Sequence, residues 1–126
     1  MHEVSVVSDI VKAILRELEK YNVESVEEVT LVIGEMTNLG TEQMEFAYEI
    51  VTRDTPLEGS KLIIENEEVR VQCKECGHEG GVEYLEDDME TGHRIPILKC
   101  SECNGPVKVI SGQSCCVKNL RIKEAD

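Results

Sequence analysis

Residues 73–76, CKEC, and residues 100–103, CSEC, form two Cys-x-x-Cys pairs around which the rest of the chain is arranged. The two-residue gap lets the backbone turn back, so that both sulfurs of a pair point toward one centre. Two such pairs supply the four soft donors of a tetrahedral zinc site, and a closed set of four thiolates is typical of structural zinc. Two reducible disulfides are the alternative. The predicted zinc ligands are Cys73, Cys76, Cys100 and Cys103.

The length and composition favour one small domain, or one domain that carries an insert. The chain has 126 residues, 40% of them hydrophobic but only 3% aromatic, so aliphatic side chains must form the core. It has no run of about 18 apolar residues and no signal peptide, so we expect no membrane segment and a cytoplasmic location. Six cysteines in such a chain suit a metal site in a reducing compartment better than a disulfide framework.

The net charge of −13 limits the classes of partner. Zinc ribbons are common in nucleic-acid machinery, but phosphates would repel this chain, and its 13 Lys and Arg residues form no basic stripe. We therefore expect no nucleic-acid binding. An acidic surface suits cations or a basic partner, although it can also serve solubility alone.

Hydrophobic periodicity predicts two helices and several short strands. Residues 4–21 and a segment that begins near Thr41, a candidate N-cap, have apolar residues at helical spacing. On the second helix, the carboxylates Glu42, Glu45 and Glu49 fall beside the apolar stripe and are predicted to be solvated. Alternating apolar residues predict strands, and residues 83–93 are too acidic to pack, so they are predicted to be a loop. The predicted strands cover residues 28–36, 61–67, 107–110 and 117–123.

The last predicted strand has no partner within the two cysteine hairpins, so we expect it to return to the sheet of the first part. The predicted fold is α+β: two helices packed on a small mixed β-sheet, with an inserted four-cysteine zinc-ribbon lobe and a C-terminal returning strand. The predicted domains are residues 1–71 plus 112–126, and a zinc-binding domain at residues 72–111.

Met1-His2-Glu3 is the candidate site for a second metal. A histidine at position two places the α-amine, the amide of residue two and imidazole Nδ1 in sequence. They close a five-membered and then a six-membered chelate ring, which suits square-planar Ni(II) or Cu(II). Glu3 could complete the shell. The alternative is an exposed, inert histidine, since the tripeptide by itself is a weak signal.

Taken together, Met-His-Glu at the first residue, the amphipathic helix that follows, Gly34-Glu35-Met36 at a strand end and the two cysteine pairs resemble the HypA family of hydrogenase-maturation proteins. The resemblance covers essentially the whole chain. It implies a metallochaperone with transient Ni(II) at His2, Met1 and Glu3 and with structural Zn(II) at the four cysteines. It also implies delivery, with a maturation GTPase, to the large subunit of a [NiFe] hydrogenase, and service to urease in some relatives.

The sequence departs from the commoner pattern of that family in two places. The spacer between the cysteine pairs has 23 residues, which is longer than usual, and it carries His93. This imidazole could complete or strip the nickel site, or it could be an exposed loop histidine. The second departure is Cys115-Cys116, whose side chains point to opposite faces if the segment is a strand, so neither is assigned to zinc.

The sequence offers no constellation for catalysis. It contains no Ser-His-Asp or Cys-His arrangement, and no G-x-x-x-x-G-K-[ST] phosphate loop, so the chain is not itself the GTPase and is not expected to be an enzyme. A metal-dependent enzyme would need a base beside an open metal position. The main alternative to the nickel chaperone is an acidic zinc-ribbon interaction module with no nickel role. The chain is expected to be a monomer or a weak homodimer.

Overall fold

The computed structural model describes residues 3–85 and 95–125. The chain forms two compact units. The helical unit comprises Met1–Val32, Leu39–Glu65 and Cys116–Asp126, and the cysteine unit comprises Ile33–Asn38 and Asn66–Cys115. The sequence predicts two domains, at residues 1–71 plus 112–126 and at residues 72–111. Whether these parts fold independently stays a prediction. Within the described ranges, no helix is long and apolar enough to cross a membrane.

The described elements follow the predicted order along the chain. The helices are α1, Glu3–Leu18, and α2, Thr41–Val51, with a short 3-10 helix at Glu35–Thr37. The strands are β1 Val23–Gly34, β2 Lys61–Glu67, β3 Arg70–Cys73, β4 Glu79–Gly81, β5 Tyr84–Leu85, β6 Ile95–Pro96, β7 Val107–Ser111 and β8 Cys115–Glu124.

The two helices of the helical unit pack against each other through the predicted apolar stripes. The buried residues of α1 are Val7, Val11, Ile14 and Leu18, and those of α2 are Met44, Ala47 and Tyr48. The prediction of Thr41 as an N-cap was wrong. The N-cap is Gly40, which has extended backbone and no side-chain cap, and its carbonyl accepts the first helical hydrogen bond from the N–H of Met44 at 2.9 Å.

The last strand returns to the first sheet, as predicted. The strand order is β2-β1-β8, with β1 in the centre. Ion pairs between exposed side chains link these strands, namely Lys118–Glu65, Arg121–Glu27 and Lys123–Glu24. Exposed pairs of this kind contribute about 0–1 kcal/mol each, so they favour the register more than the stability.

Strand β1 begins at Val23, earlier than the predicted start at residue 28. The start of the strand was missed because Glu24 and Glu27 are charged residues with a low propensity for β-strands. In the structure both carboxylates lie on the exposed face and pair with the cations of β8. The strand also ends earlier than predicted, because Glu35–Thr37 turns into the 3-10 helix.

The described strands of the cysteine unit form two small antiparallel sheets. One has the order β4-β3-β7, and the other pairs β5 with β6 through Tyr84 with Pro96 and Leu85 with Ile95. The predicted loop at residues 83–93 therefore needs correction at its beginning, where Tyr84 and Leu85 form a strand. Backbone pairing with β6 stabilises a segment that its acidic composition had marked as a loop. Residues 86–94 lie outside the described part of the chain.

Three segments of the cysteine unit meet at Gly112. The backbone N–H groups of Gly34 and Met36 donate to the carbonyls of Ser114 and Gly112 at 2.7 and 2.8 Å. The carboxylate of Glu67 accepts the N–H of Gly112 at 2.6 Å, and it accepts both the N–H and the hydroxyl of Ser114 at 3.3 and 3.1 Å. These donors favour the ionised carboxylate, and the N–H of Gly112 contributes most to lowering the pKa of Glu67 below its ordinary 4.5.

We expect Glu67→Gln to destabilise the protein at neutral pH and to have little effect in acid. Because the pKa of the folded state lies below that of the unfolded state, ionised Glu67 contributes its full stabilisation above the ordinary value of 4.5. That contribution is lost as the pH falls through the folded pKa. Denaturant unfolding of both proteins between neutral pH and acid will show a shrinking difference. The control is Glu68→Gln, on an exposed neighbour; an undiminished difference in acid would contradict the role of the charge.

Candidate metal centre

Each cysteine pair sits in the same kind of tight backbone turn. In the first, the N–H of Gly77 donates to the carbonyl of Cys73 at 3.2 Å, and Gly77 has a φ of 77°. In the second, the N–H of Asn104 donates to the carbonyl of Cys100 at 2.9 Å, and Asn104 has a φ of 60°. Glycine and asparagine adopt such left-handed conformations most readily. Gly77 and Asn104 therefore complete these two turns, the first and the second cysteine knuckle.

The two turns also direct backbone N–H groups at sulfur. The N–H groups of Glu75 and Cys76 lie 3.4 and 3.3 Å from Cys73 Sγ, and the N–H of Glu102 lies 3.4 Å from Cys100 Sγ. Such donors favour a thiolate over a thiol. The sulfur of Cys73, which accepts two of these N–H groups, is thus set to carry negative charge.

The four predicted cysteine ligands meet at one point. Their sulfur atoms all lie within 4.8 Å of one another. Among the residues that the structure describes, this is the one group of His, Cys, Asp or Glu side chains close enough together to hold a metal ion. Cys73 Sγ lies 3.5 Å from Cys103 Sγ, and Cys76 Sγ lies 3.6 Å from Cys100 Sγ. These separations exceed a disulfide bond of about 2.05 Å. They approach the sulfur–sulfur distance of about 3.8 Å that tetrahedral Zn–S bonds of about 2.3 Å imply.

The sulfurs differ in their affinity for protons. The pKa of Cys73 is lowered to about 6, chiefly because the N–H of Cys76 donates to its sulfur. The N–H of Gly105 lowers the pKa of Cys103, but the Cys73 sulfur, burial and the other two sulfurs outweigh it and raise that pKa to about 12. One thiolate thus forms readily and opposes ionisation of its neighbour. Since a metal binds thiolates, binding must displace protons, and affinity must fall as the pH falls.

The other predicted metal ligands are placed only in part. Met1, His2 and His93 lie outside the described residues. Glu3 is the first residue of α1, and its Oε2 accepts the backbone N–H of Gly40 at 3.1 Å. Sequence reasoning missed Gly40, because a donor that belongs to the backbone leaves no side-chain signal.

The remaining cysteines do not join the cluster. Cys115 is half-buried and Cys116 is exposed, at the beginning of β8, as adjacent residues of a strand alternate between faces. His78 is exposed, and its carbonyl accepts the N–H of Cys73 at 2.8 Å, so its backbone shapes the first knuckle.

Two helices, small sheets and a cluster of four sulfurs that could hold a metal ion define this α+β protein, and solved structures share its fold. The solution structure of the Ni metallochaperone HypA from Helicobacter pylori matches with a TM-score of 0.66 at 22% identity, over 99% of this chain and 100% of that one. This likeness concerns the fold.

Sequence comparison identifies the family. The hydrogenase maturation factor HypA of Methanothermobacter thermautotrophicus is 39% identical and that of Methanopyrus kandleri is 35% identical, over 100% and 98% of this chain and 100% and 94% of theirs. The profile of the family described as "Hydrogenase/urease nickel incorporation, metallochaperone, hypA" matches residues 1–122. The chain belongs to the HypA family.

The predicted resemblance is thereby confirmed, as is the α+β fold with its four-cysteine lobe. By family, the chain is a nickel-incorporation metallochaperone for hydrogenase maturation and not an enzyme. Its partners are hydrogenase-related for the same reason.

Proposed function

We propose that the chain binds Ni(II) at its N-terminus and delivers it, with a maturation GTPase, to the large subunit of a [NiFe] hydrogenase, while Zn(II) at the cysteine cluster is structural. The protein acts in the cytoplasm as a monomer or a weak homodimer. The whole-chain match to a nickel-incorporation family carries the proposal. The chain has no phosphate loop, so nucleotide hydrolysis belongs to the partner. The proposed nickel ligands are Met1, His2, Glu3 and His93.

Four converging sulfurs support the assignment of zinc. Soft thiolates in a closed tetrahedral set select Zn(II), and they leave no open position for a substrate. Two of the four sulfurs, those of Cys73 and Cys100, are buried. The ion would join β3 to the second knuckle, which are distant in sequence, and its role is therefore to hold the cysteine unit together.

Chelation by the first residues explains how nickel could be both held and released. The amine of Met1, the deprotonated amide of His2 and its imidazole form two fused rings around a square-planar ion. Each donor must lose its proton, so acid weakens binding. The hydrogen bond from Gly40 to Glu3 supports this proposal, because it holds the carboxylate of Glu3 in place on the first turn of α1, and Glu3 directly follows His2 in the sequence.

Calorimetric titration with Ni(II) tests the proposal on untagged, zinc-loaded protein. We expect one equivalent to bind to the natural chain, and none to bind tightly to His2→Ala or to a chain with one extra residue before Met1. The extra residue converts the amine into an amide and so removes one donor without changing any side chain.

Two controls make the titration specific. His93→Ala is expected to bind with weakened affinity, since it removes an accessory donor only. Cys116→Ala removes an exposed thiol outside the cluster and is expected to bind nickel unchanged. Equal binding by the natural chain and His2→Ala would show that the nickel site lies elsewhere in the chain. Unchanged affinity in the extended chain would exclude the α-amine of Met1 as a ligand.

A further inference from the structure

Helix α2 exposes an apolar pair on the side that faces away from its buried stripe. Phe46, the only phenylalanine of the chain, is 66% exposed, and Ile50 is 44% exposed. The two are four residues apart, so their side chains are neighbours on one helix face. Met44, Ala47 and Tyr48 bury the opposite face. Exposed apolar residues are common singly, but here two lie side by side, and one of them presents a large aromatic ring.

Three carboxylates lie beside this apolar pair on one side of the helix, and α2 carries no Lys or Arg. Glu42, Glu45 and Glu49 are exposed and make no ion pair within the described ranges. The exposed acids of the sheet behave differently, because Glu24, Glu27 and Glu65 each pair with a cation of β8. Arg53, just after α2, lines the same cavity as Glu45 and Glu49 and makes no ion pair with them, so a net negative charge remains beside the apolar pair.

We propose that this α2 face, Phe46 and Ile50 with Glu42, Glu45 and Glu49, docks a partner protein through an apolar pocket rimmed by Lys and Arg. A second copy of the chain does not fit, since it would bring three more carboxylates against these three, and each copy carries a net charge of −13. A basic partner fits both features. The ring of Phe46 enters the pocket as an aromatic anchor, and the carboxylates steer the approach and fix the orientation.

The choice of partners for the test rests on the proposed function. Zinc-loaded full-length chain is immobilised, and the purified maturation GTPase and the large-subunit precursor of the hydrogenase are each passed over it at low and physiological salt. We expect at least one of them to bind, and Phe46→Ala to weaken its affinity about tenfold or more. Glu42→Gln, Glu45→Gln and Glu49→Gln together are expected to slow association and to reduce its dependence on salt.

Tyr21→Ala is the matched control, because Tyr21 is an aromatic residue with 53% exposure outside α2. It is expected to bind like the natural chain. Thermal unfolding of Phe46→Ala is expected to be unchanged, so that lost binding reports lost contact. Sedimentation measures self-association in parallel. A dimer that Phe46→Ala disrupts would make the occupant a second copy and overturn the proposal, as would equal partner binding by Phe46→Ala or no binding to either partner.

Nickel titration of the same variant separates this inference from the proposed function. Phe46→Ala is expected to bind one equivalent of Ni(II), as the natural chain does. If partner binding depends on Phe46 while the natural chain binds no nickel at its N-terminus, the docking surface stands and the proposed nickel site fails. If the natural chain binds nickel and Phe46→Ala binds both partners as well as the natural chain does, the proposed nickel site stands and the docking surface fails.

Discussion

Cys73→Ala will abolish stoichiometric zinc binding and unfold the cysteine unit, while the helical unit keeps its helices. Cys73 is buried, and its Sγ accepts two backbone N–H groups and lies 3.5 Å from Cys103 Sγ. Its loss removes one of four donors and leaves those N–H groups without their acceptor. Structural zinc contributes about 10–16 kcal/mol to small zinc domains, which matches or exceeds the whole stability of most domains, about 5–15 kcal/mol.

Metal analysis and circular dichroism measure the two parts of this prediction. We expect the variant to retain well under one equivalent of zinc and to become sensitive to proteolysis within residues 66–115. The helical signal of α1 and α2 should persist. Cys116→Ala, outside the cluster, should keep both its zinc and its resistance to proteolysis. A variant that still binds one equivalent would remove Cys73 from the site, and loss of the helical signal would show that the units do not fold separately.

Gly34→Ala will destabilise the protein by about 3–5 kcal/mol, which is a large effect for the addition of one methyl group. A Cβ at Gly34 would lie 2.1 Å from the carbonyl oxygen of Gly112 and 2.6 Å from the backbone nitrogen of Gln113. Both are backbone atoms that cannot rotate away. The segments must separate, and this would break the hydrogen bonds that Gly34 and Met36 donate across the contact at 2.7 and 2.8 Å.

Denaturant unfolding of zinc-loaded protein measures this change in free energy. Gly81→Ala is the matched control, since nothing lies within 4 Å of its added Cβ and its φ is not positive. We expect that control to change stability by less than about 1 kcal/mol. A Gly34→Ala variant as stable as the Gly81→Ala variant would show that the two segments can move apart at little cost. Nickel binding at the N-terminus is expected to survive in both variants under native conditions.

The contact at Gly34 lies within the cysteine unit. Residues 33–38 belong to the cysteine unit although they lie between segments of the helical unit in the sequence. The hydrogen bonds from Gly34 and Met36, together with the Glu67 carboxylate, hold this segment to residues 112–114. The chain therefore enters and leaves the cysteine unit through residues that bind one another directly.

Local patterns predicted much of the fold and the cysteine site. The periodicity of Val7, Val11 and Ile14 reports which face of α1 is buried, because one turn of helix spans only a few residues. The spacing within each Cys-x-x-Cys pair reports a metal knuckle for the same reason. The return of the last strand followed from a shortage of partners inside the cysteine hairpins. In these cases the information lies in side chains close together in the sequence.

Surface charge misled the prediction at β1, where Glu24 and Glu27 hid the beginning of a strand. Their cationic partners on β8 lie almost 100 residues away, so no local pattern could reveal them. The family was predicted from Met1-His2-Glu3 and the cysteine pairs in combination, since neither motif specifies nickel delivery by itself.

The sequence by itself determined the two helices, the four-sulfur ligand set and the family, because each is encoded by side chains at fixed short spacings. Only the tertiary structure decided the close approach of Gly34 to Gly112, the hydrogen bonds from backbone N–H groups to Glu67 and the donation from Gly40 to Glu3. These contacts join segments distant in sequence, and in each of them at least one partner is a backbone atom. Nearly every residue carries the same backbone N–H and C=O groups, so the sequence does not show which of them will form these contacts. Their partners are set by the tertiary fold.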